Sequence, residues 1–385
     1  MTSCDYSILT KLLHKLVLGS KSISELSFAI EKAIYLSDDS SKIANDKHVF
    51  VSGLARSGTT ILMRYLYETN YFASLTFADM PFVLAPNLWH KLSFGKSNNK
   101  YQERAHKDGI LVNTESPEAF DEVFWKVFLN DDYILQDRLV INNIPLNIIT
   151  LYGTYINLVI KRNFKVKKLR YLSKNNNNVL RFRSILNNFP KSYIIIPFRD
   201  PLQHSLSLMN QHHHFCEIHK NESFILDYMN WLGHHEFGLN QKPFFLNNDN
   251  VFRQQAEYNK DNINFWLLTW LNYYSYVLDN YSDKCIIFSH AQFCKDPNKA
   301  MDQLLKRIDL PPFHFELIPF ALKIRTNEKI NRKLLEECQF IYNKLCEISC
   351  SFCCTAPKEK NRSPLLVAAK ESITKDDLCS RINSV

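Results

Sequence analysis

Gly53 and Gly58 stand five residues apart, with Arg56 and Ser57 between them and Thr59 and Thr60 directly after. An apolar stretch, His48–Ser52, leads into this loop, and a helical pattern follows it. Strand, glycine-flanked loop and helix in that order turn backbone N–H groups and the positive end of a helix toward an anion. The spacing Gly53-x-x-x-x-Gly58 is that of a Walker A loop. Thr59, however, holds the place of the Walker lysine, and the cation, Arg56, lies inside the loop. That combination disfavours ATP and favours another anionic nucleotide. A second anion-ready group is Arg199, at the end of the apolar run Tyr193–Phe198. In a mainly parallel sheet ligands bind beyond the carboxyl ends of strands. Two such features on one edge point to a ligand with two phosphate clusters.

The elements that must position these groups are readable in part. The chain has 385 residues, 45% hydrophobic and 13% aromatic, enough for a large packed core. Its formal charge of +8 suits an anionic ligand without choosing among nucleotide, nucleic acid and acidic glycan. No run of about 18 apolar residues predicts a membrane span. No signal-peptide pattern is present, and the ten cysteines show no small-domain disulfide spacing. A cytoplasmic protein with reduced thiols is the expectation.

Residues 5–36 read as helical, with Ser22 and Glu25 as a capping box before Leu26, Phe28, Ala29 and Ile30. Thr59–Tyr67 places Ile61, Leu62, Tyr65 and Leu66 on one helical face. Residues 70–150 are aromatic-rich and broken by Pro81, Pro86 and Pro117, as expected of substrate-side inserts. Tyr193–Phe198 and Cys285–Ser289 read as strands buried on both faces. Asp200-Pro201 and Asp296-Pro297 read as helix starts. The second carries Met301, Leu304, Leu305 and Ile308 at core spacing. Residues 262–281 predict an aromatic helix that belongs to the core. The basic stretch Lys161–Arg183, with asparagines at 175–178, reads by default as a solvated face. The predicted division is a helical segment over 1–45, a main domain over 46–356 with inserts at about 70–170, and a polar tail over 357–385.

Gly53, Leu54, Ala55, Arg56, Ser57, Gly58, Thr59 and Thr60 together resemble the 5′-phosphosulfate loop of sulfotransferases that use 3′-phosphoadenosine 5′-phosphosulfate (PAPS). Ala55 replaces the usual proline, which removes no ligand group. The family's second element is an arginine after an apolar strand with a serine eight residues on; here Arg199 and Ser207 fit it. The match is nearest to the bacterial and Golgi-type branch. The resemblance implies an α/β fold, a P-loop NTPase-like three-layer sandwich with a central mainly parallel sheet and helical inserts. It implies transfer of a sulfuryl group from PAPS to a hydroxyl or amine, with release of 3′,5′-ADP. Gly53, Arg56, Ser57, Gly58, Thr59 and Thr60 would bind the phosphosulfate, and Arg199 and Ser207 the 3′-phosphate. Lys174 stands where many relatives carry a lysine near the sulfuryl group; its residue type equally allows a solvated loop lysine. With arginine as counter-ion, no metal is required.

An acceptor hydroxyl needs a general base. Asp79 is the first candidate, set among Phe77, Met80 and Phe82; a turn-capping aspartate is the other role open to it. His90, His106, Glu115 and Glu118 are rivals. His212, His213 and His214 are consecutive and cannot all face one metal from a regular helix. Cys346, Cys350, Cys353 and Cys354 match no familiar metal spacing and read as buried thiols on a helix face. The expected partner is a hydroxyl-bearing acceptor, a carbohydrate or small metabolite among the options, with no nucleic acid and no membrane span. Oligomeric state is not encoded legibly. A P-loop kinase or NTPase and a non-catalytic anion-binding protein are the competing readings. The first would need a loop lysine and an acidic Mg²⁺ ligand.

Overall fold

The computed structural model describes residues 7–36, 47–93, 101–103, 111–162, 170–315 and 328–351. Five strands form the central sheet: β1 (Val49–Val51), β2 (Phe72–Ala73), β3 (Arg170–Lys174), β4 (Tyr193–Phe198) and β5 (Ile286–Ser289). Their spatial order is β2-β3-β1-β4-β5, and every pairing is parallel. Strands between two helical layers must be apolar on both sides. Here Phe50, Tyr171, Ile194 and Ile196 pack on one face with Tyr152, Tyr155, Trp270 and Tyr274. Val49, Val51, Leu172 and Ile195 pack on the other with Leu62, Leu66, Met301 and Leu305. The result is a three-layer α/β sandwich with an all-parallel sheet. In register, Val51 lies beside both Lys174 and Ile195, so β1 and β3 end together and β4 runs past them to Phe198 at the same edge.

Several local expectations hold. Asp200 caps Pro201–Asn221 by accepting from the Gln203 N–H, and Asp296 caps Pro297–Arg307 through the Lys299 N–H. Asn262 caps Ile263–Tyr281, whose aromatic residues are core.

Three expectations are corrected. The N-terminal segment is two helices, Ile8–Leu18 and Lys21–Tyr35. The chain turns at Gly19, where an added Cβ would lie 2.4 Å from the Lys15 carbonyl oxygen. Ser20, rather than Ser22, caps the second helix by accepting from the Ile23 N–H. Within Lys161–Arg183, Arg170–Lys174 is an interior strand and not a solvated face. Its charges are buried with partners. The Arg170 guanidinium lies over the Phe72 and Tyr193 rings and donates to the Ile308 carbonyl. Arg181 sits between Trp125 and Tyr133 and forks onto Glu122 at 3.0 and 2.9 Å. The asparagine run becomes a buried 3₁₀ turn, Asn176–Arg181, capped by Asn175. On Arg332–Ser351, Cys346 is half-buried and Cys350 exposed, so these two do not form the buried face expected of them; Cys353, Cys354 and the tail 357–385 lie outside the described residues.

Candidate active site

β1 runs through Ser52 into the loop, and Gly58 opens the helix Thr59–Glu68 in left-handed backbone, φ +99°. A Cβ at Gly53 would lie 2.7 Å from Ser57 Oγ and 3.1 Å from the Pro197 carbonyl oxygen. Only glycine lets the loop pass so close to β4. Arg56 is held at φ +69°, a conformation that costs a non-glycine residue about 1 kcal/mol or more. Its guanidinium Nε donates to Ser207 Oγ at 3.3 Å, across 151 residues of sequence. The loop and the start of Pro201–Asn221, read separately in the sequence, therefore touch.

A polar floor holds the loop in place. The Tyr274 hydroxyl donates to the Pro197 carbonyl at 2.8 Å, and the Tyr273 hydroxyl to the Ser52 carbonyl at 3.4 Å. His204 is fully buried, with Nε2 2.7 Å from the Ala55 carbonyl oxygen. A carbonyl only accepts, so that nitrogen carries the proton. Ser57, Thr59 and Thr60 are buried at the helix start.

Arg199 leaves β4 beside this loop. It is buried, and burial together with the Arg56 charge pulls its pKa down. Its Nε is buried without a hydrogen-bond partner among the described residues. Two guanidinium groups that repel each other, one with an unmet donor, are what an anion site requires before its anion arrives. β5 adds His290, which the sequence reading did not find. Its ring would be 2.9 Å from a Cβ at Gly58, and burial and Arg199 lower it to about 4.

Lys174 ends β3 beside Val51 and is buried. The solvated-lysine role is thereby excluded. Its Nζ lies 3.9 Å from Glu118 Oε1. Glu236, also absent from the sequence reading, is nearby and accepts from Asn176 Nδ2 at 2.9 Å. Burial opposes its ionisation, but His234 and Lys174 outweigh burial and hold it below the usual carboxylate range.

Asp79 is placed differently from the other site candidates. It is buried, Oδ2 accepts from the Thr76 N–H at 2.7 Å in a capping box, and Oδ1 pairs with Arg162. Its carboxylate is committed to the turn. Glu115 and His90 are exposed, and His106 lies outside the described residues. His212 accepts from the Gly238 N–H at 3.2 Å and packs on Trp266, while His213 pairs with Asp261 at 3.0 Å. Among the described residues no three potential ligands cluster for a metal.

The model of the sulfotransferase family matches residues 48–314, spanning β1 to the segment after β5. The chain belongs to the sulfotransferase family. Similar solved structures include the sulfotransferase STF9 from Mycobacterium avium, 14% identical over 93% of this chain and 88% of that one, with a TM-score of 0.47. The sulfotransferase STF1 from Mycobacterium tuberculosis H37Rv is 11% identical over 91% and 88%, with a TM-score of 0.38. A sulfotransferase from Alicyclobacillus acidocaldarius is 14% identical over 79% and 94%, with a TM-score of 0.34. No curated protein matches the chain.

The buried histidines of this sulfotransferase set its acid limit. Burial lowers His204 to about 3 and His212 and His235, like His290, to about 4. An unfolded histidine titrates near 6.5, so below that pH the unfolded chain takes up protons that the fold refuses. These groups contribute fully above about 6.5, and the contribution is lost as pH falls toward about 4. Asp121 acts the other way, since burial raises it to about 6. Burial also raises Glu31, Glu68 and Asp131, but it lowers His14 and His219 too, and the histidines outnumber the raised carboxyls. The melting temperature should fall steadily from pH 6.5 to 4, and less steeply in His204→Gln, which keeps a donor for Ala55. An equal slope in that variant would remove His204 from the account.

Proposed function

We propose that this sulfotransferase takes PAPS as donor and transfers its sulfuryl group to an acceptor hydroxyl or amine, releasing 3′,5′-ADP. The observation that carries the donor reading is the Arg56–Ser207 contact with Arg199 beside it. It gathers the cations of two strand ends where a nucleotide with separate 5′ and 3′ phosphates would need them. In this reading the loop N–H groups, Arg56, Ser57, Thr59 and Thr60 hold the phosphosulfate. Arg199 and Ser207 hold the 3′-phosphate, and the unmet Nε of Arg199 fits that task. His290 packs against the loop at Gly58 and stays neutral, so it supplies hydrogen bonding without a further charge.

For the transfer step, the acceptor oxygen forms its bond to sulfur as the bond from sulfur to the bridging phosphate oxygen breaks. The electron pair leaves with 3′,5′-ADP, and charge collects on that phosphate. Lys174 and Arg56 would stabilise it. We assign the general base to Glu118 and give Asp79 a positioning role through its turn. Glu118 is half-buried against Lys174, whereas Asp79 would have to leave Arg162 to take a proton. The acceptor itself stays at the level of a hydroxyl- or amine-bearing molecule, with carbohydrates and small metabolites as the classes to screen.

A thermal-shift titration tests the donor. A ligand that binds only the fold stabilises it by about 2.7 kcal/mol at about 100 times its Kd. 3′,5′-ADP should raise the melting temperature of the wild type, and Arg199→Ala should remove most of the rise. A rise with ATP and Mg²⁺ but none with 3′,5′-ADP would overturn the PAPS reading.

A further inference from the structure

The two helices before β1 turn an apolar face to solvent. Ile8–Leu18 buries His14, Val17 and Leu18 and leaves Ile8 (88% exposed), Leu9 (75%), Leu12 and Leu16 outside. Those four lie in one stripe at helical spacing. Lys21–Tyr35 does the same: Leu26 (60% exposed), Ala29, Ile30, Ala33 and Ile34 face outward, while Ser24, Ser27, Phe28, Glu31 and Tyr35 are buried. Seven of the fifteen large apolar side chains exposed by the described residues stand on this helix pair, a concentration far above single scattered residues.

The orientation is locked. Glu31 accepts from the Asn87 N–H at 2.9 Å, from Asn87 Nδ2 at 2.6 Å and from the Leu88 N–H at 2.8 Å. Ser24 Oγ donates to the Val17 carbonyl at 2.8 Å and ties one helix to the other. Rotating the second helix to bury its aliphatic stripe would tear a buried carboxylate from three donors, which costs more than the exposed stripe does. The aliphatic face therefore stays outward until something covers it.

The charges beside the stripe select the cover. Lys15, Lys21 and Lys32 are exposed, and the carboxylate among them is the half-buried Glu25, 3.5 Å from Lys21. An aliphatic centre with a cationic rim is the pattern of a helix lying in a membrane interface. A second copy, placed by a two-fold axis, would set this same cationic patch against itself. Among the described residues no helix is long and apolar enough to cross a membrane. We infer that the N-terminal helix pair rests its outward aliphatic face on an anionic bilayer as an in-plane, peripheral contact. The inference is independent of the donor and acceptor assignments.

Co-sedimentation of the full chain with vesicles tests it. Phosphatidylcholine vesicles containing phosphatidylglycerol should pull the protein down, and pure phosphatidylcholine vesicles should do so much less. Leu12→Ser with Ile30→Ser should weaken binding by about tenfold or more per side chain. Lys15→Glu with Lys32→Glu should weaken binding to the anionic vesicles by about fivefold or more per lysine. All four positions are exposed, so an unchanged melting temperature certifies the fold of each variant. No sedimentation of the wild type, or sedimentation untouched by these variants, overturns the inference. So does a wild-type dimer in analytical ultracentrifugation that Leu12→Ser with Ile30→Ser dissociates, since the face is then a self-interface.

Discussion

Arg56→Ala is expected to lower sulfuryl transfer by about a thousandfold or more, the largest effect of any single substitution in this chain. Arg56 is held at φ +69° between Gly53, which passes too close to Ser57 and Pro197 for a Cβ, and Gly58 at φ +99°, so its guanidinium has a fixed origin. A preorganised cation costs no reorganisation when charge develops on the leaving phosphate, and one charged donor of that kind is worth about three powers of ten or more. Arg56→Lys should recover little, because an ammonium cannot fork onto two oxygens. Stability without nucleotide should hold in Arg56→Ala. The bond to Ser207 is long at 3.3 Å, and removing the Arg56 charge relieves a repulsion that, with burial, depresses Arg199. The measurements are kcat with PAPS and the melting temperature with and without 3′,5′-ADP. Transfer within tenfold of wild type would remove Arg56 from the transition state.

The same pairing shows which parts of the molecule the sequence makes legible. The loop 53–60 and the cap at Asp200 are written locally, in residue types a few positions apart. The burial of Tyr193–Phe198 is written as an uninterrupted apolar run, because a strand covered on both faces needs nothing else. β3 carries no such mark. Its ends are Arg170 and Lys174, and the partners that make them bearable inside come from distant segments: the rings of Phe72 and Tyr193, and Glu118. Asp79 illustrates the same limit in chemistry. Its surroundings in sequence are apolar, but Arg162, 83 residues later, occupies the carboxylate. His290 and Glu236 had no local signal, since each matters only through what lies beside it, Gly58 in one case and Lys174 in the other. The N-terminal helices show the converse. Their periodicity was readable, but the inward stripe of the second helix is held by Phe28 and Tyr35 in the core together with Glu31 and its donors at Asn87 and Leu88.

Glu118→Gln is expected to cut kcat by about a hundredfold to ten-thousandfold, the range for loss of a positioned general base. The amide keeps the size and the hydrogen-bonding oxygen that meets the Ala119 N–H at 3.0 Å, so the loop should stay in place. Donor affinity should survive, because the donor phosphates are assigned to the 53–60 loop, Arg199 and Ser207, while Glu118 stands against Lys174 at 3.9 Å. Asp79→Asn should behave in the opposite way. Breaking its buried pair with Arg162 should cost about 3–5 kcal/mol of stability, while kcat of the protein that remains folded falls much less. The two variants thus separate a proton acceptor from a turn-holding carboxylate by two readouts, kcat under saturating donor and the melting temperature. A normal kcat in Glu118→Gln, with a kcat collapse in Asp79→Asn at unchanged stability, would return the base to Asp79 and require Arg162 to release it during turnover.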